Sequence, residues 1–136
     1  MTNQLGAKAL FEKQVDCIVR GDRATQLTLY ADDLLYEFPF AVDRPRRIEG
    51  RDAFRQVMAP LWEKNRQAGV ILVGHRADVH ETSDPNFIIA ELTLLAEHNG
   101  EKIEAPFVQF FRTREGKIAA VREYFSPGDR AEMDKK

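Results

Sequence analysis

Apolar residues in the first third of the chain recur at the spacing of one helix face. Between residues 11 and 19 they fall at intervals of three or four, which predicts an amphipathic first helix. Gly21 is a suitable residue for ending that helix, and Asp22 is a suitable N-cap for the next. The pattern therefore predicts a second, short helix that ends near Ala31.

The clearest helical stripe covers residues 51–66. Its apolar positions are Phe54, Val57, Met58, Leu61 and Trp62. Pro60 lies inside this stripe, where it removes a backbone hydrogen bond, so we expect it to kink or end the helix near Ala59. Such a stripe usually faces a core, although a tryptophan in it can also line a cavity.

The remaining apolar segments are extended in character. Residues 34–41 are rich in aromatic side chains, and from Val70 onward the sequence alternates over long runs separated by turn residues. The order is then helix, helix, strand, helix and three or four long antiparallel strands. Helices followed by a run of strands indicate an α+β fold with the helices on one face of the sheet.

Two turns set the predicted strand register. Asn99-Gly100 is typical of a two-residue hairpin, and pairing His98 with Glu101 places Glu91 opposite Val108. If the later turn covers residues 113–116, Val108 also pairs with Val121. In this register Pro106 lies opposite Glu123, and Glu91 and Glu123 share one face of the sheet. A shift of one residue would exchange the faces.

Glu123 is the leading candidate for chemistry. Alternation puts it in a row with Ala119, Val121 and Phe125, so a carboxylate lies among apolar residues. Burial would raise its pKa, which suits a general acid or base. The alternative is a structural glutamate that reaches water or pairs with a nearby arginine.

Other chemically interesting residues each have a structural alternative. His75 shares its predicted face with apolar residues and is either a catalytic group or a core histidine. The loop of residues 43–50 contains Arg44, Arg46 and Arg47, which could clamp an anion or simply lie in solvent. Cys17 is the only cysteine, which excludes an internal disulfide.

Composition narrows the class of protein. The chain has 136 residues and a net charge of −2, which predicts one domain over residues 1–136 with a charged tail at about 128–136 and no nucleic-acid partner. No apolar run reaches the length of a membrane span. We therefore expect a cytoplasmic protein without a membrane partner. Metal-ligand spacings and cofactor motifs are missing from the sequence, so neither a metal nor a cofactor is expected.

Three segments resemble one family. YADDLLYEFPF (residues 30–40), IEGRDAF (48–54) and REGKIAAVREYFSP (114–127) look like the SnoaL-like group of the nuclear-transport-factor-2 superfamily. That superfamily includes ketosteroid isomerases, polyketide cyclases, limonene epoxide hydrolases and phenazine-biosynthesis A/B proteins. The resemblance implies a cone of three N-terminal helices on a curved antiparallel sheet, with a pocket between them, and a homodimer.

The resemblance can be followed to individual positions. Ketosteroid isomerases have three catalytic residues that fall on Phe38, Gln14 and Val108 here, so that reaction is not expected. The catalytic positions of the epoxide hydrolases fall on Glu91, Thr93 and Glu123, and their water-holding asparagine falls on Glu37. The resemblance thus implies that positions 91, 93 and 123 face the pocket. Because the residues there differ from those of the hydrolases, epoxide hydrolysis is not expected.

The phenazine-type proteins resemble this chain in two further segments. SDPNFIIAEL (residues 83–92) looks like the start of one of their strands, and REYFSP (122–127) looks like their final motif, whose acid–base glutamate matches Glu123. The residues and the resemblance therefore indicate the same glutamate.

We therefore expect a protein that binds a small hydrophobic or aromatic molecule. The expected activity is that of an acid–base isomerase or cyclase that acts on a carbonyl compound without a cofactor. The catalytic candidates are Glu123, Glu91, Glu37 and His75. The predicted substrate-binding residues are Tyr36, Phe38, Phe54, Met58, Trp62, Thr93, Val108, Phe110 and Val121. The alternative is a non-catalytic ligand-binding or dimerisation module. An apolar dimer surface is expected at Leu92, Leu94, Phe107 and Phe111.

Overall fold

The computed structural model describes residues 5–126; the predicted charged tail lies outside them. The helices are α1 (Ala7–Arg20), α2 (Arg23–Thr28) and α3 (Arg51–Gln67). The strands are β1 (Tyr30–Glu37), β2 (Arg47–Glu49), β3 (Ile71–Glu81), β4 (Phe87–His98), β5 (Glu101–Arg114) and β6 (Lys117–Phe125).

The strands form one curved, open sheet in the order β2-β1-β6-β5-β4-β3. The pairs β3·β4, β4·β5 and β5·β6 are antiparallel, so the prediction for residues 70–126 is confirmed. The pair β1·β6 is parallel, and β2 adds a short antiparallel edge to β1. The mixed α+β architecture is thus the predicted class.

The helix boundaries follow the local signals in most places. Gly21 adopts a left-handed φ of 73° after α1, and the Asp22 side chain accepts a hydrogen bond from the Thr25 amide at the start of α2. The expected end near Ala31 was wrong, because Tyr30 already pairs with β6. Of the two outcomes expected at Pro60, a kink or an end, the structure excludes the end. Helix α3 continues through Pro60, since one missing amide is tolerated where the helix is held against β1 and β2.

Two tight turns join the last three strands. Asn99 and Gly100 have φ values of 52° and 80°, and Glu115 and Gly116 have φ values of 51° and 75°. Two successive positive φ angles define the turn type preferred in two-residue hairpins. The predicted register of β4 on β5, with Glu91 opposite Val108, is confirmed.

The predicted register of β5 on β6 was wrong. The second turn is centred one residue later than expected, and Arg114 pairs with Lys117. An irregularity then follows, because Arg112 pairs with Ala120 while Thr113 pairs with Ile118, which leaves one extra residue in β6. As a result Glu123 lies opposite Gln109 rather than Pro106.

This bulge determines which residues share a face. The side of the sheet that contacts α1 and α3, here called the helix-facing side, carries Leu34, Tyr36, Phe38, Ala90, Leu92, Phe107, Gln109, Phe111, Val121, Glu123 and Phe125. The opposite side, here called the outer face, carries Leu35, Glu37, Glu91, Thr93, Val108, Phe110, Arg122 and Tyr124. The expected dimer patch at Leu92, Leu94, Phe107 and Phe111 was therefore misplaced, since Leu92 and Phe111 are buried on the helix-facing side.

Aromatic rings fill much of the space between α3 and the sheet. Tyr36 stacks on Phe38 and Phe54, with centroid distances of 4.7 Å and 4.6 Å, and Tyr30 meets Phe54 edge-on at 5.1 Å. On the other side of the core, Phe11 of α1 contacts Phe111 at 5.7 Å. These contacts fix α1 and α3 over the middle of the sheet. Within the described range, no helix has both the length and the apolarity to cross a bilayer.

Candidate acid–base site

Glu123 lies on the helix-facing side of β6, between the buried residues Val121 and Phe125. Its Oε1 atom accepts a hydrogen bond from the Tyr36 hydroxyl at 3.0 Å and another from the Gln109 side-chain amide at 2.6 Å. The Gln109 amide also lies 3.4 Å from the Tyr36 oxygen. Two neutral donors on neighbouring strands therefore hold one carboxylate oxygen.

The hydrogen bonds continue from Glu123 into the protein. Gln109 accepts from the Gln14 amide of α1 at 3.4 Å, and Gln14 accepts from the Tyr30 hydroxyl at 2.9 Å. The Gln26 amide of α2 donates to the same hydroxyl at 2.9 Å. Gln14, Gln26, Tyr30 and Gln109 are each at most 2% exposed. A buried polar network is stable only when its members are satisfied, and here each has a partner.

Burial also sets the protonation of the two tyrosines. Desolvation and the nearby charge of Glu123 hold the pKa of Tyr36 well above its ordinary value. Desolvation likewise raises the pKa of Tyr30. Both phenols are therefore neutral hydrogen-bond donors across the physiological pH range.

The other two carboxylate candidates lie on the outer face. Glu37 is 3.5 Å from Arg47 and 3.6 Å from Arg122, so its partners are cationic. Glu91 is exposed and contacts the His80 ring at 2.8 Å. The prediction that Glu91 and Glu123 share one face was wrong. The bulge in β6 pairs Glu123 with Gln109 instead of a residue on the face of Val108, and Glu91 lies on the face of Val108.

The structure brings together only part of the predicted substrate-binding set. Tyr36, Phe38, Phe54, Met58 and Val121 are buried in the core cluster, and Trp62 packs against it. Thr93, Val108 and Phe110 lie on the outer face. The first group therefore surrounds the side of the sheet that carries Glu123, and the second does not.

His75 and the basic loop are not part of this arrangement. His75 is exposed on β3, and an irregularity between Leu72 and Gly74 separates it from Ile71, with which it was expected to share a face. Of the three loop arginines only Arg44 is buried, with a side chain 2% exposed that pairs with Asp43 at 2.8 Å and lies over the Phe38 ring at 4.9 Å. Arg46 and Arg47 remain exposed.

The polar partners of Glu123 were missed from the sequence, although a signal existed. Gln109 interrupts the apolar run FVQFF, and Gln14 lies within the apolar stripe of α1. A glutamine at an inward position must find a hydrogen-bond partner in the core. Pairing these two glutamines would have indicated a buried network next to Glu123.

In the described part of the chain, aromatic rings pack between the helices and the sheet, where the pocket was expected. Two depressions form elsewhere in that part. One, of about 580 Å³, lies between the start of α1 and the β3–β4 turn, and the other, of about 240 Å³, lies beside Glu91, Pro106 and Tyr124. Among residues 5–126 there is also no cluster of side chains suited to a metal ion.

Comparison with known structures supports the class of fold. An isomerase candidate from Bacillus subtilis superposes with a TM-score of 0.81 at 23% identity, covering 95% of this chain and 92% of its own. A Mycobacterium tuberculosis protein in complex with estradiol-17β-hemisuccinate superposes with a TM-score of 0.72 at 24% identity, covering 92% and 97%. These similarities show that the chain has the same mixed α+β fold as these structures.

Sequence comparison identifies the family within that class. Residues 11–121 match the SnoaL-like domain, and the chain belongs to this family. An uncharacterised PhzA/B-like protein from Pseudomonas aeruginosa is 27% identical over 128 residues, which cover 90% of this chain and 86% of that one.

Proposed function

We propose that this protein binds a small carbonyl compound and transfers a proton within it, as a cofactor-free isomerase or cyclase with Glu123 as the acid–base group. The observation that carries the proposal is the pair of hydrogen bonds from Tyr36 and Gln109 to Glu123. Both donors are neutral, and they fix the orientation of the carboxylate. Glu37 lies instead on the outer face, between Arg47 and Arg122.

The chemistry follows from the charges. The Glu123 carboxylate takes a proton from the carbon next to the substrate carbonyl, and the electron pair of that C–H bond forms the enolate. The Tyr36 hydroxyl, which stays protonated, turns from Glu123 to the enolate oxygen and stabilises it. Protonated Glu123 then returns the proton to another carbon, and the enzyme regains its starting state.

The surroundings support an apolar substrate. Phe38, Phe54 and Val121 provide the wall next to Tyr36 and Glu123, and Trp62 borders it. The relative bound to estradiol-17β-hemisuccinate has the same architecture and holds a ligand of this kind. A ligand would enter as the aromatic side chains or the loop around Arg44 move aside.

Hydrogen–deuterium exchange tests the proposal without knowledge of the product. A panel of cyclic enones, starting with cyclohex-2-enone, is incubated with the protein in D₂O, and exchange beside the carbonyl is followed by NMR. We expect the wild type to exceed the buffer rate and Glu123→Gln to fall to it. The substitution keeps the shape and an oxygen that accepts from Tyr36 and Gln109, so the fold should be retained.

Glu91→Gln is the matched control, because it removes a carboxylate from the outer face of the same sheet. It should exchange at the wild-type rate. Exchange that survives Glu123→Gln, or that Glu91→Gln abolishes equally, would assign the chemistry to another group. A wild type that exchanges none of the panel would favour the non-catalytic alternative.

That alternative, a ligand-binding or dimerisation module, is favoured by one observation. The outer face carries a row of aromatic contacts, with Phe40 5.4 Å from Tyr124, Tyr124 5.9 Å from Phe110 and Phe110 6.5 Å from Phe87. Phe40 is 58% exposed. We propose this row, rather than the misplaced patch, as the homodimer surface. Light scattering should give twice the chain mass of 15.6 kDa, and the Phe40→Ser variant should shift toward the monomer.

A further inference from the structure

Arg23, at the start of α2, differs from the other arginines in its partners. Within residues 5–126, every arginine except Arg23 and Arg46 has a carboxylate oxygen within 4.0 Å. Arg46 is exposed, so water can solvate its charge. Arg23 is half-buried and has no such compensation from the described residues.

The Arg23 guanidinium contacts one aromatic ring and one hydrogen-bond acceptor. Its central carbon lies 4.4 Å from the centre of the Trp62 ring of α3. Its Nη1 atom donates to the Gln26 side-chain carbonyl at 2.8 Å. The guanidinium is partly shielded from water, and this burial lowers its pKa. The amide and the ring face are neutral, and they leave most of the five N–H donors available.

Removing a charge from water is unfavourable unless another charge replaces the water. A cation–π contact offsets only part of this loss for a guanidinium. An uncompensated, preoriented guanidinium on an aromatic ring is therefore a suitable receptor for an anion. A planar carboxylate fits it best, since two parallel N–H···O bonds can form.

We propose that Arg23 and Trp62 form a binding subsite for the carboxylate of a small ligand with an apolar ring. One guanidinium balances one carboxylate, whereas a phosphate would keep surplus charge beside the indole. The ring centroids of Trp62 and Phe54 are 6.1 Å apart, and Phe54 stacks on Tyr36. The subsite therefore borders the aromatic cluster. The ring of the ligand packs on these side chains. This inference concerns binding and stands whether or not Glu123 is catalytic.

Calorimetric titration with matched probes tests the subsite. Cyclohexanecarboxylate and cyclohexanecarboxamide have the same ring and nearly the same shape, and they differ in charge. We expect the wild type to bind the carboxylate at least about tenfold more tightly than the amide. Arg23→Met should reduce that ratio to near one, with little change in the affinity for the amide, because methionine still covers Trp62.

Three further samples complete the test. Arg46→Met, which removes the other arginine without a carboxylate partner in the described residues, should keep the wild-type ratio. Arg23→Lys should keep part of it, because the charge remains and the two-pronged geometry is lost; this variant also decides the matter if Arg23→Met fails to fold. Cyclohexyl phosphate should bind no better than the carboxylate.

Several results would contradict the proposed carboxylate subsite. A wild type that binds both probes equally, or neither at millimolar concentration, overturns the proposal, as does an Arg23→Met variant that retains the preference. Tighter binding of cyclohexyl phosphate overturns the assignment to a carboxylate. None of these results depends on proton transfer, so they are separable from the outcome of the Glu123→Gln exchange experiment.

Discussion

The two faces of the sheet use the same residue type in different ways. On the helix-facing side, Glu123 is held by the neutral donors Tyr36 and Gln109. On the outer face, Glu37 lies between two arginines and Glu91 contacts His80. Guanidinium partners offset the charge of a carboxylate, whereas hydroxyl and amide donors orient it through hydrogen bonds. The residues around each glutamate, and not the glutamate itself, distinguish the two faces.

The comparison predicts that the inner network is worth more than the outer ion pairs. Gln109→Leu removes a donor to Glu123 and leaves the buried Gln14 amide without its acceptor. We expect the free energy of unfolding to fall by about 2–4 kcal/mol. Denaturant titration measures it, with Thr93→Leu on the outer face as a control that should change stability by less than about 0.5 kcal/mol.

A double-mutant cycle sharpens this prediction. Gln14→Leu and Gln109→Leu should be clearly non-additive, because each substitution removes the same Gln14–Gln109 hydrogen bond and leaves one buried polar atom of the other glutamine without that partner. Additive losses would show that the two glutamines are stabilised independently.

Alkaline unfolding should depend on Tyr36. Its folded pKa lies above the unfolded value, so the stability it contributes is fully present below about pH 10 and is lost as the pH rises toward the folded value. Tyr36→Phe removes this dependence, along with a hydrogen bond of about 1–2 kcal/mol at neutral pH. Circular dichroism between neutral and alkaline pH should therefore show a shallower decline for the variant. Parallel curves would contradict the assignment.

The outer face should respond weakly to loss of charge. Glu37→Gln breaks contacts to Arg47 and Arg122, both half-exposed, and should lower stability by less than about 1 kcal/mol. The loss should shrink further in high salt, because exposed charges are screened. A loss as large as that of Gln109→Leu would remove the distinction between the faces.

The smallest expected effect concerns acid pH. The Arg76 guanidinium lowers the pKa of Glu104 across the outer face. A lowered folded pKa gives stability that is present above the unfolded value of about 4.3 and is lost as the pH falls through the folded one. Glu104→Gln should therefore lower stability slightly at neutral pH, flatten the profile in the acid range and converge with the wild type below the folded pKa. Denaturation midpoints measured across that range would detect it.

Much of the site could be predicted because strand alternation is local. The sequence indicated that Glu123 lies in an apolar row with Val121 and Phe125, and the structure places it there. It did not indicate the partners of Glu123. Gln109 and Tyr36 belong to strands distant in the chain, and which of their side chains meets Glu123 depends on register.

Elements with local causes can be predicted from the chain alone. Gly21 and Asp22 divide α1 from α2, Asn99-Gly100 makes the turn between β4 and β5, and that turn fixes their register. The register of β6, in contrast, depends on long-range packing. Its extra residue between Ile118 and Ala120 lies where β6 pairs with both β1 and β5, so the bulge depends on partners far apart in sequence. That single residue places Gln109, and not Val108, beside Glu123.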